Sequence, residues 1–238
     1  MTLKTIYTSK RMKRCVVIVA GGKGSRFGSN IPKQFLLMNN KPVLMRTIDA
    51  FYSSDNSFEI VVVIPEGHFS YWQELCKKYN FTTPHKIVKG GASRWESVKN
   101  GLAEIDNNSI VGIHDGVRPL ISKQLIDRLY SNAETLSAVI PAIKVTDSLR
   151  VVNEVESKSH SVNREVYRAI QTPQVFKSDI IKEAYELPFE ECFTDDASVV
   201  ERYGTQINII EGEDSNIKIT SAKDLAIAEL LANHVGIF

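Results

Sequence analysis

The chain has 238 residues, of which 43% are hydrophobic and 24% are charged. This composition is typical of a globular protein and excludes a disordered chain, a collagen-like chain and a small disulfide scaffold. The net charge of +1 gives no reason to expect a nucleic-acid or membrane partner.

The N-terminal segment is basic, and we interpret residues 1–11 as an extension that precedes a single domain of residues 12–238. The apolar stretch at 15–20 is too short for the core of a signal peptide, although a transit peptide is an open alternative. No apolar run approaches the ~18 residues of a membrane helix. The three cysteines lie far apart and form no C-x-x-C pair, which favours a reducing compartment. We therefore expect a cytoplasmic protein.

Short apolar runs alternate with helical patterns along the chain. The predicted strands are residues 15–20, 59–64, 86–89, 110–114, 138–141 and 206–211. The predicted helices are residues 42–53, 67–79, 93–105 and 122–135, followed by a C-terminal helix that starts at Ser221. Continuous apolar strands such as VVIVA and IVVVI are typical of a parallel sheet covered on both faces. The alternation predicts a doubly wound α/β fold with a mostly parallel sheet, in which ligands bind at the carboxyl ends of the strands.

Residues 143–168 break this alternation. They contain two strand-like stretches, 143–152 and 161–169, on either side of the polar sequence NEVESKSH. The pattern predicts a projecting β-arm. From these residues alone, an ordinary surface ribbon and a dimerisation arm are equally supported.

The first predicted strand is followed by a glycine-rich loop, A-G-G-K-G-S-R-F-G-S-N-I-P-K, at residues 20–33. Glycines let the backbone approach a ligand closely, and successive exposed N–H groups form an anion-binding concavity. Lys23, Arg26 and Lys33 add positive charge, and residues 1–48 contain no acidic side chain to neutralise it. Arg26 and Lys33 can stabilise charge that develops at a phosphorus atom under attack. The loop therefore predicts a diphosphate or triphosphate site.

Two common nucleotide-binding patterns do not fit this loop. The Walker pattern fails because the sequence contains no Gly-Lys-Ser/Thr. A dinucleotide fingerprint begins with Gly22 and Gly24, but Phe27 stands where the third glycine is needed, and no ribose-binding acid follows at a strand end. The pattern G-G-x-G-x-R followed by P-K-Q is more specific, and it favours phosphoryl transfer over NAD-dependent oxidoreduction.

A second cluster, G-G-A-S-R-W-E-S-V at residues 90–98, leads from a strand into a helix. The helix N-terminus offers N–H groups to an acceptor, and Arg94 and Ser97 are within reach of a base or ribose. A Gly-Gly turn that merely caps the helix is the more common use of such a sequence.

A third cluster, I-H-D-G-V-R-P at residues 113–119, follows another strand. Asp115 can hold Mg²⁺ or a sugar hydroxyl, and Arg118 can bind phosphate through two hydrogen bonds. An Asp–Arg pair within one turn is the alternative. We interpret His114 as a structural histidine.

Three further segments occur later: N-R-E-V-Y-R-A-I-Q-T-P-Q, T-D-D-A-S and N-I-K-I-T. We predict that Thr194 caps a helix with Asp195 and Asp196 in its first turn. We also predict that Lys218 ends a short strand, where it is either solvated or reaches into the cleft.

In this order and combination, the motifs resemble those of the 2-C-methyl-D-erythritol 4-phosphate cytidylyltransferase family, from Val17 to about Leu230. The resemblance implies a Rossmann-like nucleotidyltransferase fold and an enzyme of the non-mevalonate isoprenoid pathway. Such enzymes bind CTP with Mg²⁺ or another divalent cation, attach CMP to a sugar-alcohol phosphate and release pyrophosphate. The resemblance also implies a homodimer in which the arm contacts the substrate, which favours dimerisation for residues 143–168.

The resemblance also implies individual roles. The catalytic residues are Arg26, Lys33 and Lys218. The nucleotide-binding residues are Ala20, Gly21, Gly22, Lys23, Gly24, Gly91, Ala92, Arg94, Ser97, Gly116 and Arg118. The substrate-binding residues are Asp115, Ser148, Arg164 and Thr172. Asp115 is also the candidate metal ligand, unless the cation is held through the CTP phosphates alone.

Three positions depart from the family pattern. Ala92 stands where many members carry an acid, Gly116-Val117 replaces Ala-Ala, and Ser148 replaces a frequent Thr. The nearest alternative is ribitol-5-phosphate cytidylyltransferase, which uses the same chemistry on a pentitol phosphate. A catalytically silent nucleotide-binding module is the second alternative, and the presence of all three cationic residues argues against it.

Overall fold

A computed structural model of the protein describes residues 12–22 and 31–235. The strands are β1 (Lys13–Val19), β2 (Leu37–Met38), β3 (Lys41–Pro42), β4 (Glu59–Ile64), β5 (Lys86–Lys89), β6 (Ser109–Asp115), β7 (Ala138–Lys144), β8 (Arg150–Asn153), β9 (Lys158–Ser161), β10 (Arg168–Ile170), β11 (Gln174–Lys177) and β12 (Asn208–Glu211). The α-helices are α1 (Val43–Ser54), α2 (Phe69–Lys78), α3 (Arg94–Leu102), α4 (Lys123–Leu136), α5 (Ser178–Ala184), α6 (Asp196–Arg202) and α7 (Ala222–Val235).

The central sheet has eight strands and is mostly parallel. Hydrogen-bonded neighbours follow the order β10-β7-β11-β6-β1-β4-β5, and β12 also pairs with β7. Within this sheet, among the described residues, only β10 and β11 run antiparallel to their neighbours. In β10, Ile170 pairs with Ala142 of β7. In β11, Val175 pairs with Val139 of the same strand. The register against β7 therefore differs by two residues between β10 and β11, and the ladder is interrupted at residues 171–173.

Helices cover both faces of the sheet, as the predicted doubly wound fold requires. Side chains alternate between the faces along each strand, so Val16 of β1 packs with α1, α2 and α4. Its neighbour Val17 packs with α3, α5 and α6 on the other face. A third apolar cluster joins α7 to β2 and to the segment after β6, with Met38 and Ile219 at its centre.

Most predicted elements occur within one or two residues of their predicted bounds, and β4 and β5 match them fully. The C-terminal helix starts where predicted and has a capping box, because Ser221 Oγ accepts from the N–H of Asp224 and Asp224 Oδ2 accepts from the N–H of Ser221. Strand β11 and helix α5 were not predicted. The prediction of a strand ending at Lys218 is wrong, since residues 212–220 are irregular.

The arm, residues 143–168, contains the predicted hairpin. Arg150 pairs with Ser161 at its base and Asn153 with Lys158 near its tip. The base of the arm joins the sheet through the pairing of β10 with β7. The single domain 12–238 stays a prediction, and the extension 1–11 lies outside the described residues. No helix in the described part of the chain is long and apolar enough to cross a membrane.

Candidate functional site

A cavity of about 360 Å³ opens at the carboxyl ends of β1, β5 and β6, the sheet edge where doubly wound folds bind ligands. It brings together five separate segments of the chain, including most of the predicted site residues. Its lining residues are Val19, Ala20, Gly21, Gly22, Lys33, Gln34, Gly91, Ala92, Ser93, Arg94, Ser97, Asp115, Val117 and Lys218. Lys23, Gly24 and Arg26 lie outside the described residues, so their roles stay predictions.

The loop after β1 is fixed from two directions. The N–H of Ala20 donates to the carbonyl of Val63 at 2.9 Å. The carbonyl of Ala20 accepts from Nε2 of the buried Gln34 at 2.8 Å. Lys33 approaches Gly22 so closely that a Cβ atom on this glycine would lie 3.2 Å from Lys33 Cε. A side chain at this position would therefore require Lys33 to shift by a few tenths of an ångström.

Lys33 begins a short 3-10 turn, Lys33–Phe35, that is anchored by aromatic packing. The buried ring of Phe35 meets the edge of Tyr71 at 5.3 Å and stacks on Trp72 at 6.0 Å. It also meets His68 edge to face at 5.6 Å. Aromatic pairs in this distance range add to the stabilisation from burial. The cluster therefore fixes the main chain from which Lys33 projects.

The loop after β5 is held by a buried serine. Ser97 Oγ accepts from the N–H of Gly91 at 3.1 Å and donates to the carbonyl of Ser93 at 2.8 Å. Its oxygen also lies close to Gly90, where an added Cβ would be 3.2 Å away. The hydroxyl of Ser97 positions the loop, and its predicted contact with the nucleotide stays a prediction.

Arg94 forms one wall of the cavity and is clamped by a fully buried carboxylate. Its Nη1 and Nη2 donate to the two oxygens of Asp196 at 2.9 and 2.6 Å. The hydroxyl of Tyr185 donates to the same carboxylate at 2.7 Å. Burial lowers the pKa of Arg94, but the charge of Asp196 outweighs it and raises that pKa above its ordinary value. Such a two-bond pair fixes the orientation of the guanidinium as well as its charge.

Asp115 is the acidic group of the cavity. Its Oδ2 lies 2.8 Å from Lys218 Nζ and 3.6 Å from Arg118 Nε. Burial alone would raise the pKa of Asp115, but Lys218, Arg94 and Arg118 outweigh it and hold that pKa at about 2. Asp115 is therefore ionised at neutral pH. The cavity contains a carboxylate between cations, an arrangement that can hold a hydroxyl or a cation and can position Lys218.

His114 is fully buried beneath Asp115, as predicted for a structural histidine. Thr172 Oγ1 accepts from the N–H of Asp115 at 3.0 Å, so its own proton is directed to His114 Nδ1 at 3.1 Å. The remaining nitrogen, Nε2, then donates to the carbonyl of Arg118 at 3.0 Å. Burial lowers the pKa of His114 to about 4. The imidazole is therefore neutral and supports the backbone around the site.

Thr172 and Arg118, two predicted ligand-binding residues, are mostly engaged within the protein. The hydroxyl of Thr172 is part of the chain through His114, and only 7% of the residue is exposed. Arg118 Nη1 donates to the carbonyl of Asn216 at 2.6 Å, and Asn216 Nδ2 donates to the carbonyl of Thr172 at 2.9 Å. These bonds hold the segment that carries Lys218. Direct contacts with a ligand stay predictions for both residues.

Gly116 lies behind the cavity wall. Its N–H donates to the carbonyl of Val19 at 2.9 Å, and an added Cβ would lie 2.9 Å from the Cβ of Ala20. The glycine in H-D-G-V-R-P therefore allows two strand ends to approach closely.

Ser148 and Arg164 lie on the arm and are exposed, away from the residues that line the cavity. Arg164 Nη1 donates to the carbonyl of Thr146, and its Nε lies 3.5 Å from Glu165. Within one chain, the structure does not bring these two residues together with Asp115. Their predicted role in substrate binding stays a prediction.

The predicted cap of the helix in T-D-D-A-S is wrong by one residue. Asp195 caps α6, accepting from the N–H of Ser198 at 2.9 Å, and Ser198 Oγ closes a capping box with the N–H of Asp195. An aspartate is as good a cap as a threonine, so composition alone did not identify it. Asp196 follows the cap and is therefore directed inward, towards Arg94.

Sequence reasoning missed several residues of the site. Gln34, the last residue of P-K-Q, holds the carbonyl of Ala20, and its position directly after Lys33 was a usable signal. Asp196 was assigned to a helix turn and not to Arg94, because 102 residues separate the pair. Nothing in the sequence indicated that Val19 and Val117 would line the cavity.

The side chains near Asp115 could hold a divalent cation only if other groups supplied most of its ligands. No group of three or more His, Cys, Asp or Glu side chains that could hold a metal occurs among residues 12–22 and 31–235. Mg²⁺ commonly binds through one or two carboxylates, substrate phosphates and water. The cavity therefore suits a divalent cation that receives most of its ligands from a bound polyphosphate, with Asp115 as the one protein carboxylate lining it.

Comparisons with known proteins agree with this geometry. The profile of the 2-C-methyl-D-erythritol 4-phosphate cytidylyltransferase (IspD) family matches residues 14–234. The chain is 49% identical over 220 residues to the protein of that name from Phocaeicola vulgatus, covering 92% of this chain and 100% of the relative. It is 48% identical to the protein of the same name from Bacteroides fragilis, with the same coverage.

Solved structures give the same result. The 4-diphosphocytidyl-2C-methyl-D-erythritol synthase of Anaerococcus prevotii superimposes with a TM-score of 0.79 at 27% identity, covering 94% of this chain and 100% of that one. The 2-C-methyl-D-erythritol 4-phosphate cytidylyltransferase of Thermus thermophilus superimposes with a TM-score of 0.73 at 30% identity, covering 93% and 100%. The expected Rossmann-like fold is confirmed, and the chain belongs to the 2-C-methyl-D-erythritol 4-phosphate cytidylyltransferase family.

Proposed function

We propose that this protein transfers the cytidylyl group of CTP to 2-C-methyl-D-erythritol 4-phosphate, giving 4-diphosphocytidyl-2-C-methyl-D-erythritol and pyrophosphate, as an isoprenoid biosynthetic enzyme. The observation that carries this proposal is the cavity in which Lys33, Lys218 and the ionised Asp115 meet the glycine loop after β1. These groups come from distant parts of the sequence and converge at the sheet edge that binds ligands.

In this reaction, a phosphate oxygen of the sugar alcohol attacks the α-phosphorus of CTP. The bond from that phosphorus to the oxygen bridging the β-phosphate breaks, and pyrophosphate leaves. The attacking oxygen is already anionic, so the protein needs no strong general base. Position and positive charge supply most of the acceleration.

Lys33 and Lys218 supply positive charge from two sides of the cavity, and we assign Arg26 to the same task on the basis of its place in the glycine loop. Asp115 Oδ2 lies 2.8 Å from Lys218 Nζ, so the carboxylate orients the ammonium. The carboxylate also offers an acceptor to a hydroxyl of the sugar alcohol. In this way, Asp115 orders the ammonium of Lys218, and that ammonium stabilises the reacting phosphates.

The family generally depends on a divalent metal, and we propose Mg²⁺ for this protein. When bound, the cation neutralises negative charge on the triphosphate. Asp115 is the residue of this chain that would hold it, together with the phosphates of CTP. Lys218 competes for the same carboxylate, so the proposal assigns most of the metal ligands to the nucleotide.

We further propose a homodimer in which the partner's arm completes the acceptor site. Arg164 and Ser148 are exposed on the arm, where they have the charge and the hydroxyl suited to a phosphate. The arm also exposes Val152, Val155 and Val166. A cluster of exposed apolar side chains supports a protein interface.

The test is pyrophosphate release by the full chain with CTP and Mg²⁺, with either 2-C-methyl-D-erythritol 4-phosphate or ribitol 5-phosphate as acceptor. The proposal predicts pyrophosphate and a cytidylylated product with the first acceptor and at least a hundredfold less with the second. A preference for ribitol 5-phosphate would overturn the assigned acceptor. Binding of CTP without pyrophosphate release with either acceptor would overturn the assignment as a transferase.

A further inference from the structure

A histidine directly before β5 uses both of its ring nitrogens within the protein. His85 Nε2 lies 3.0 Å from Trp72 Nε1, and His85 Nδ1 lies 2.7 Å from the carbonyl oxygen of Thr83. An indole N–H can only donate, so Nε2 is the acceptor for Trp72. The proton of the neutral ring is then on Nδ1, which donates to Thr83. The two bonds fix the tautomer of His85 and the orientation of its ring.

This histidine is neutral at neutral pH, and the segment that carries it is anchored to α1. Burial lowers the pKa of His85, and the bond to Thr83 and the charge of Asp49 offset only part of this effect. Asp49 lies on α1, where it pairs with Lys41 and accepts from Thr83 Oγ1 at 2.7 Å. Nε2 is therefore available as a fixed acceptor for the indole.

Trp72 connects this histidine to the turn that carries Lys33. The tryptophan is only 1% exposed, so its N–H would be left buried without a partner if His85 did not accept it. The same ring stacks on Phe35, with 6.0 Å between the ring centroids. Phe35 ends the 3-10 turn that Lys33 begins. Because protein interiors are close-packed, a displaced indole displaces the ring stacked on it.

We propose that His85 is a positioning residue for Lys33. It fixes the indole of Trp72, and the indole fixes Phe35 and with it the turn from which Lys33 projects into the cavity. His85 is not among the described residues that line the cavity, so it acts through these rings and touches no substrate. The inference rests on the proposed function, since that function places Lys33 against the reacting phosphates, where small misplacements of a charge are costly.

The experiment measures kcat with CTP and 2-C-methyl-D-erythritol 4-phosphate as substrates. His85→Leu keeps a side chain of similar volume but cannot accept from Trp72, and it is expected to lower kcat about tenfold. His85→Gln can place its amide oxygen near the position of Nε2 and is expected to keep kcat within twofold of the wild type. Lys86→Ala changes the next residue, which pairs with Glu104 at the surface, and is the control expected to leave kcat unchanged.

Two impaired backgrounds separate positioning of Lys33 from a general loss of structure. In Lys33→Ala, the ammonium that His85 positions is missing, so adding His85→Leu is expected to change kcat less than twofold. In Lys218→Ala, Lys33 is present, and the same addition is expected to lower kcat by the full tenfold. A general loss of structure would lower kcat by the same factor in both backgrounds.

Hydrogen exchange of the Trp72 indole N–H, followed by NMR, tests the bond itself. The chain has two tryptophans, and Trp72→Phe assigns the signal. Exchange is expected to accelerate in His85→Leu and not in His85→Gln. Trp72→Phe also removes the donor while keeping an aromatic ring, so it provides the test from the other side of the bond, with the same expected pattern in the two backgrounds.

Equal effects in the two backgrounds would overturn the inference, as would a kcat of His85→Leu within twofold of the wild type. A wild-type protein that releases no pyrophosphate from CTP would instead overturn the proposed function, so the two failures are distinguishable.

Discussion

Side chains around the cavity are held by bonds within the chain, whereas those on the arm face solvent. Arg94 is clamped by Asp196, and Lys218 is paired with Asp115. On the arm, Val155 is 96% exposed and Val166 is 74% exposed. The difference indicates that the nucleotide side of the site is preorganised by one chain, while the arm needs another surface to become ordered for function.

The largest expected effect concerns the cationic residues of the cavity. Lys33→Ala or Lys218→Ala should lower turnover about a hundred- to a thousandfold, because each removes charge placed to stabilise the reacting phosphates. Steady-state pyrophosphate release measures this, with circular dichroism as the check of folding. Lys223→Ala, which changes an exposed lysine on α7, is the matched control. Near-normal turnover in either cavity variant would refute their assigned role.

The second prediction tests the preorganisation of the cavity wall. Asp196→Ala leaves Arg94 and Tyr185 without their shared acceptor, and removing one member of a buried pair costs about 3–5 kcal/mol. We expect the free energy of unfolding, measured with urea, to fall by about 3 kcal/mol. This is the lower end of the range, because the Arg94 side chain is 36% exposed.

The control for this variant is Glu190→Ala, which breaks the surface pair with Arg202 and should leave unfolding unchanged. Equal unfolding midpoints for the Asp196 variant and the wild type would show that the clamp is dispensable for stability.

The third prediction is a pH dependence confined to the cavity side. Burial lowers the pKa of His114 from 6.5 to about 4, so the folded state takes up its proton at lower pH than the unfolded state. Stability from this group is complete above pH 6.5 and declines as pH falls towards 4, by about 2 kcal/mol between pH 7 and 5.

Urea unfolding at these two pH values measures the decline. Glutamine does not titrate, so in His114→Gln this part of the decline in unfolding free energy between pH 7 and 5 should disappear, even if the variant is less stable at both pH values. If the variant loses as much stability between pH 7 and 5 as the wild type does, a group other than His114 is responsible for the decline.

The smallest effect is expected on the arm. Arg164→Ala should lower kcat/KM for the sugar-alcohol phosphate about tenfold and leave the Kd for CTP unchanged, because one exposed charge–phosphate contact is lost. Isothermal titration with CTP and steady-state kinetics with the acceptor separate the two. Arg150→Ala, on the same arm and bonded to Ser159, is the matched control. Weaker CTP binding in Arg164→Ala alone would argue that the arm belongs to the nucleotide site.

The sequence was most informative where local pattern and environment agree. Strand β4 was predicted with its full bounds because its continuous apolar run suits a buried parallel strand. Strand β5 was predicted from its β-branched pair, Ile87 and Val88, which is typical of a strand. The glycine loop, Asp115 and Lys218 were identified by residue type and converge in one cavity. The predicted strand at N-I-K-I-T failed because Ile217 and Ile219 alternate as in a strand but pack against α7.

Other features depend on tertiary contacts that a single sequence does not reveal. Strand β11 is four residues long and lies antiparallel between β6 and β7. No helix directly precedes it, so the strand–helix alternation that identified the parallel strands gave no signal for it. The bond of Gln34 to Ala20 and the clamp of Arg94 by Asp196 connect residues that are not periodic neighbours. Their partners were therefore identifiable only in three dimensions.

The most direct test of the account mixes two impaired proteins and measures kcat/KM for the sugar-alcohol phosphate. Lys218→Ala has a damaged cavity and an intact arm, and Arg164→Ala has the reverse; the pair is denatured together and refolded at equal concentration. If the partner's arm completes each site, half of the dimers are mixed and each contains one intact site, so activity should recover to about a quarter of the wild-type value. Mixed dimers that form but leave the activity at or below the tenth retained by Arg164→Ala would contradict it.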